Sequence, residues 1–447
     1  MRAVEAARGL VPVRRVVRIG VTGLARAGKT ALLTSLAANL LAAGARLPAL
    51  PALTAKLGGR SFRASLAPSG ADGLPRFDHQ SHLAALAADP PGWPARTGAV
   101  SLLALDVSIG WGGLASALPP RQIRLELLDY PGEWLLDLPL LGQDFSAWST
   151  ATLRRLEQRP EARAFLAYVH GLPAAAPADE ALAASGHALY AELLQRLRVA
   201  GLSMLQPGRF LMPAPGPQPP WQAFFPLAGT GKLAELLRSR YDRYRAQVRA
   251  DLVAPSFGRI DRLVILADLL TALHAGPDAF ADAAAALQGT AQALHWQMRL
   301  PFLPDWMAGL APLFGGIGRV AFAAGKSDHV ADRQRGNLAA LTASLTATPH
   351  VPSQAFAIAS VRCTEDVVWT LEGRPVSAVR GRVAGEARAG RSYPGEVPDR
   401  TPDGTFWQHP FLALPDFEPM RLALAGRAGV AHIGLDTLLS FLLEDLL

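Results

Sequence analysis

The chain has 447 residues, half of them hydrophobic and 18% charged, which is ample material for a packed core and excludes a disordered chain. The net charge of +7 favours acidic partners, but the arginines are scattered without a basic tail or a long run, so no dedicated nucleic-acid surface is read. The single cysteine, Cys363, excludes an internal disulfide, and the first residues lack the apolar run and cleavage site of a signal peptide, so a cytoplasmic protein is expected. Of the 44 lysines and arginines only Lys29, Lys56, Lys232 and Lys326 are lysine, which marks these four as places needing a compact ammonium on a flexible stem.

Residues 16–21, VVRIGV, form a β-branched run suited to a buried strand. The next eight, Gly23-Leu24-Ala25-Arg26-Ala27-Gly28-Lys29-Thr30, fit G-x-x-x-x-G-K-[ST], and the apolar residues after them keep helical spacing up to Gly44. Strand, glycine-bounded loop and helix together make a phosphate-binding loop. Gly23 and Gly28 allow the tight turn, and the N–H groups of Ala25, Arg26, Ala27, Gly28, Lys29, Thr30 and Ala31 point at the phosphates beside a helix N-terminus. Lys29 reaches the β- and γ-phosphates, and the Thr30 hydroxyl ligates Mg²⁺. His79 and His82, three apart on an expected helix, read as a solvated face rather than a metal site.

The proline-rich stretch 90–97 ends in Arg96 and Thr97 ahead of an edge strand at 100–108. Two readings stand: a switch, with Thr97 as second hydroxyl ligand to Mg²⁺ and Arg96 as an arginine finger, or a rigid surface loop. A strand at 121–128 then delivers Asp129-Tyr130-Pro131-Gly132, a D-x-x-G element 100 residues beyond Lys29. Asp129 holds a Mg²⁺-bound water, and Gly132 offers its N–H to the γ-phosphate. Glu133 either orients the attacking water or is a solvated residue at the start of the next helix.

Residues 133–258 read as an insertion of Ala, Leu and Arg at helical spacing with proline-rich turns at 172–177 and 213–220, a mainly helical lobe and the place for a protein partner. Within it, Gly229-Thr230-Gly231-Lys232 lacks the glycine spacing of a phosphate loop and reads as a turn into a helix at 233–250. A strand is expected at 260–267. The apolar stretch 300–324 contains Asp305, Arg319 and several prolines, so a buried helix and strand fit it better than a membrane span.

The strand at 318–324 runs into Gly325-Lys326-Ser327-Asp328, similar to the [N/T]-K-x-D element of GTPases. There the aspartate accepts from guanine N1–H and the 2-amino group while the lysine stem covers the base; adenine offers no such donor pair. Gly325 stands where Asn or Thr is usual, which removes a bracing side chain and leaves ATP open. The strand at 354–360 ends in Ser360 and Val361, like the short loop that backs guanine. Residues 362–425 read as hairpins and loops, and 434–447 as a terminal helix whose Leu/Phe spacing is core packing first.

With these motifs in order, the chain resembles the bacterial YcjX-like family of P-loop NTPases. The resemblance rests also on WPART (93–97), DYPGEWLLDLPLL (129–141), LQPGRF (205–210), FFPL (224–227), RIDRLVILADLL (259–270), GKSDHV (325–330), ASV (359–361), YPGEVP (393–398) and HIGLDTLLSFLLEDLL (432–447). It implies a G-domain-like nucleotide site in a stress-associated protein, with the partner obscure.

The expected architecture is α/β, a parallel sheet with helices on both faces, a large helical insertion and a small α+β extension. The domains run 1–132 and 259–361 for the two halves of the nucleotide-binding domain, 133–258 for the insertion and 362–447 for the extension. The expected activity is Mg²⁺-dependent hydrolysis of GTP to GDP as a conformational switch. An ATPase of unknown task and a nucleotide-gated scaffold in peripheral contact with the inner membrane are the other readings.

Overall fold

The computed structural model describes residues 15–24, 26–42, 50–68, 74–95, 100–113, 117–213, 218–253, 260–297, 316–346, 351–386, 388–409, 413–422 and 429–447. Ala25, Arg96, Thr97 and the stretch 300–315 lie outside the described residues.

Seven strands form the main sheet: β1 (Arg15–Gly23), β2 (Phe62–Leu66), β3 (Ser101–Ile109), β4 (Arg121–Asp129), β5 (Arg262–Ala267), β6 (Arg319–Ala324) and β7 (Ser353–Ala357), in the order β2-β3-β4-β1-β5-β6-β7. From β4 to β7 all pairings are parallel, whereas β3 runs antiparallel to both β4 and β2. Two expectations are corrected here. The sheet is not parallel throughout, and β3 is not its edge, because β2 covers it. The physical reason is that Phe62-Arg63-Ala64-Ser65-Leu66 has only its first residue fully buried, so its apolar content is too thin to announce a strand.

The inner strands are buried on both faces and therefore read as continuous apolar runs; every residue of β5 is buried. Their side chains alternate between two cores. Val264 and Leu266 face one side with Leu32, Leu36 and Leu40 of helix Lys29–Leu41 and with Leu435, Leu438 and Leu442 of helix Leu435–Leu443. Leu263 and Ile265 face the other with Leu270, Leu338 and Leu341. The terminal helix is thus core, and its polar end is tied to the sheet by ion pairs of Asp445 with Arg262 (2.6 Å) and of Glu444 with Arg319 (3.0 Å).

Between Gly132 and Val253 the described elements are helical. Helices Phe145–Glu157, Arg163–Gly171, Glu180–Val199 and Lys232–Val253 close on the fully buried rings of Trp148, Phe165, Tyr190, Phe224, Phe225, Tyr241 and Tyr244, with Trp148 stacked on Tyr241 at 5.0 Å. Asp144 and Asp179 cap two of these helices by accepting from backbone N–H groups in the first turn. Downstream, β8 (Thr364–Leu371), β9 (Arg374–Arg382) and β10 (Ala389–Ser392) form an antiparallel sheet.

His79 and His82 are not on a solvated face. Helix His79–Ala87 packs Leu86 against Ala31 and Ala38, and the same face buries both imidazoles, His82 lying 4.9 Å from the Phe77 ring. Burial holds both below the ordinary imidazole range. No described helix is long and apolar enough to cross a membrane.

Candidate functional site

The carboxyl ends of β1, β4, β5, β6 and β7 reach one edge of the sheet, because their registers pair Val21 with Asp129, Gly23 with Leu266, Ala267 with Ala324 and Ala324 with Ala357. The turn after β1 starts with Leu24 donating to the Leu266 carbonyl at 2.8 Å, and Ala27 donates back to Leu24 at 3.2 Å. A side chain at Gly23 would collide with the Leu266 backbone. Gly28, at φ 87°, then starts the 13-residue helix Lys29–Leu41 without a side-chain cap, and the space where its Cβ would lie is open. Thr30 follows Lys29 in the first turn, and Ala31 is buried in a cluster with Leu86 of helix His79–Ala87.

Asp129 is buried at the end of β4, in register with Val21 and with Ser101. The chain turns at Tyr130, whose N–H donates to the Val21 carbonyl at 2.9 Å, and brings Gly132 against the end of β1. A Cβ on Gly132 would overlap the Gly23 carbonyl oxygen and lie 3.2 Å from Lys29 Nζ. The lysine of one motif and the glycine of the other, 103 residues apart, therefore meet. Glu133 follows in the short helix Gly132–Leu135, half-buried.

At the other end, Gly325 sits against the loop after β1: a Cβ there would lie 3.2 Å from the Ala27 carbonyl oxygen. A side chain there would be a tight contact that the loop could meet only by giving a few tenths of an ångström. Lys326 adopts φ 60°, and its Nζ lies 2.7 Å from Asp268 Oδ2 and donates to Thr271 Oγ1 at 3.1 Å. Asp328 is buried and accepts from the Cys363 N–H at 2.6 Å, while Ser327 N–H donates to the Ile358 carbonyl at 3.0 Å. The segment with half-buried Ser360 and buried Val361 is thereby held beside Asp328. His329 and Cys363 are buried beside Asp328, and burial pushes the thiol up and the imidazole down.

Sequence reading missed three groups. Asp268 and Thr271 precede Lys326 by more than fifty residues, and their only local signal is a helix cap. Cys363 gave no signal as the aspartate's partner. The third is a latch between the acidic turn and the helical lobe. A Cβ on Gly208 would overlap the Glu133 carbonyl oxygen, and Asp137 accepts from Gly208 N–H at 2.7 Å and from the Tyr244 hydroxyl at 2.5 Å. Arg209 lies 4.9 Å above the Trp134 ring and pairs with Asp251. The Pro207-Gly208 pair in LQPGRF marks only a turn, so its contact with Glu133 had no local signal.

The α/β architecture, mainly parallel with its motif-bearing loops at the carboxyl edge, is compatible with a P-loop, G-domain-like fold. Residues 17–447 match the profile of the YcjX-like family, DUF463, and the chain belongs to that family. It is 35% identical to the Ras-like GTPase YcjX of Escherichia coli (strain K12), over 97% of this chain and 96% of that protein. It is 32% identical to the Ras-like GTPase YcjX of Shewanella oneidensis, over 96% and 94% of the two chains.

Proposed function

We propose that this chain binds a guanine nucleotide with Mg²⁺ and hydrolyses GTP to GDP, using the change as a conformational switch. The observation that carries the reading is the meeting of Lys29 Nζ, Gly132 and the Gly23 carbonyl at the mouth of the phosphate loop. The names of the relatives support it.

The residues fit the ligand. The uncapped N-terminus of helix Lys29–Leu41 offers N–H groups to phosphate oxygens, and Lys29 adds a full positive charge where two loops converge. Thr30 and the buried Asp129 are the described residues that would hold Mg²⁺, which when bound neutralises charge building on the phosphates. Thr97 would add a second hydroxyl and Arg96 a cation from the preceding loop. Gly132 N–H senses the terminal phosphate and Glu133 orients water. Asp328 reads guanine with the oxygen edge left after Cys363 N–H is satisfied, and Ser360 and Val361 back the base.

Base choice is tested through Asp328→Asn. An amide keeps an oxygen for Cys363 N–H and turns an N–H₂ toward the base, which suits xanthine O2 in place of the guanine amino group. Loss of a charged, buried acceptor should weaken GTP binding roughly 10- to 100-fold, with a gain in XTP binding. Equal affinity for ATP and GTP, unaltered by the substitution, would contradict guanine recognition.

A further inference from the structure

We propose that Asp268, on the loop leaving β5, is a positioning residue for the base subsite: it anchors the ammonium of Lys326 and so sets the lysine stem in place as a cover for the guanine plane before nucleotide arrives. The inference rests on reading the β6–β7 edge as the base subsite.

Lys326 needs an external anchor because its own backbone supplies none. The residue before it is Gly325, with no side chain, pressed against the Ala27 carbonyl. Lys326 itself is in the left-handed region at φ 60° and carries a four-carbon stem whose rotamers are costly to order. The anchor comes from the neighbouring strand. Ala267 pairs with Ala324 across β5 and β6, so both strands release their chains at one level and bring Asp268 and Lys326 together. Asp268 Oδ2 lies 2.7 Å from Lys326 Nζ and accepts from Thr271 Oγ1 at 2.7 Å. Its Oδ1 accepts from Thr271 N–H at 3.1 Å, and Thr271 Oγ1 accepts from Lys326 Nζ at 3.1 Å. The carboxylate is only 9% exposed, while the lysine side chain keeps 31% of its surface.

A cap alone does not require this residue. Asparagine caps a helix as well as aspartate does, and helix Leu269–Ala275 would be served by either. What aspartate adds is the charge that holds an ammonium. A part-exposed ion pair contributes little to stability, so its consequence lies in pre-ordering the stem, which strengthens binding of the base without touching the transferred phosphate.

The test uses the full chain with Asp268→Asn, Asp268→Ser (a second capping residue), Lys326→Met and the Asp268→Asn/Lys326→Met pair, each checked by thermal melting. Mg²⁺-GDP affinity is measured by calorimetry, and KM and kcat for GTP by phosphate release. Asp268→Asn or Asp268→Ser is expected to raise Kd and KM about tenfold, with kcat and melting temperature unchanged. In the Lys326→Met background the second change should add less than about twofold. If Asp328→Asn weakens guanine binding but neither Asp268 variant does, or if the Asp268 loss is as large without Lys326, the proposal is overturned. If Asp328→Asn has no effect either, the base reading fails and this proposal with it.

Discussion

Gly132 occupies a position that no other residue can fill without moving the site. Its missing side chain is where the Gly23 carbonyl sits, and Lys29 Nζ is the next atom outward. Gly132→Ala must shift one of two loops, a distortion that costs about 1–3 kcal/mol where backbone rather than a flexible side-chain tip is in the way. The expected outcome is phosphate release slowed more than about 100-fold with the sheet intact by circular dichroism. Normal turnover in this variant would show that the two loops are not coupled in the reaction. Gly325 is less constrained: a Cβ there would lie 3.2 Å from the Ala27 carbonyl oxygen, a tight contact rather than an overlap.

At the scale of elements, the latch formed by Asp137, Gly208, Arg209 and Tyr244 joins the acidic turn to the helical lobe. Burial pushes the Asp137 carboxyl up to about 6, against the Tyr244 hydroxyl, the Gly208 N–H and the Arg209 guanidinium, which all favour the charged form. A carboxyl that binds its proton more tightly in the folded chain destabilises that state when ionised. Its contribution is therefore least favourable above pH 6 and improves as pH falls from about 6 toward 4. The effect is on the order of 1–3 kcal/mol. Denaturant melts of wild type and Asp137→Asn between pH 4 and 8 should differ by this slope, the variant lacking it; parallel curves would mean that the carboxyl titrates normally. Asp137→Ala, by contrast, should lose about 3 kcal/mol or more at every pH, because it strands the Gly208 N–H and the Tyr244 hydroxyl without an acceptor.

Local pattern foretold the inner strands because they are buried on both faces: VVRIGV, the LVIL core of β5 and RVAFAA leave little alternative. Pattern did not foretell β2, whose five residues carry little apolar surface, nor the direction of β3, which depends on pairing. His79 and His82 failed for a related reason: a helix of mixed composition buries whichever face its neighbour offers, and here that neighbour is helix Lys29–Leu41. The strand and helix that flank residues 24–28 were legible, because two strong local patterns meet at a glycine-bounded turn. Asp268, Cys363 and Gly208 were not, since their partners are distant in sequence.

Across the whole molecule, one sheet edge gathers the loops after β1, β4 and β6 that carry the proposed phosphate, metal and base residues, while the helical lobe bears on the turn after β4 through Gly208. If the proposed switch operates, exchange of GTP for GDP should alter hydrogen exchange in residues 205–212 and 244–251 as well as around Gly132. Protection changes confined to the sheet edge would leave the lobe without a part in it. The central claim, that Lys29 and the N-terminus of its helix hold a polyphosphate, is tested most directly by calorimetric titration of Mg²⁺-GTP into wild type and Lys29→Ala. The account predicts saturable one-site binding by the wild type and a loss of roughly 100-fold or more in the variant. Undiminished binding by Lys29→Ala, folded as the parent is, would contradict it.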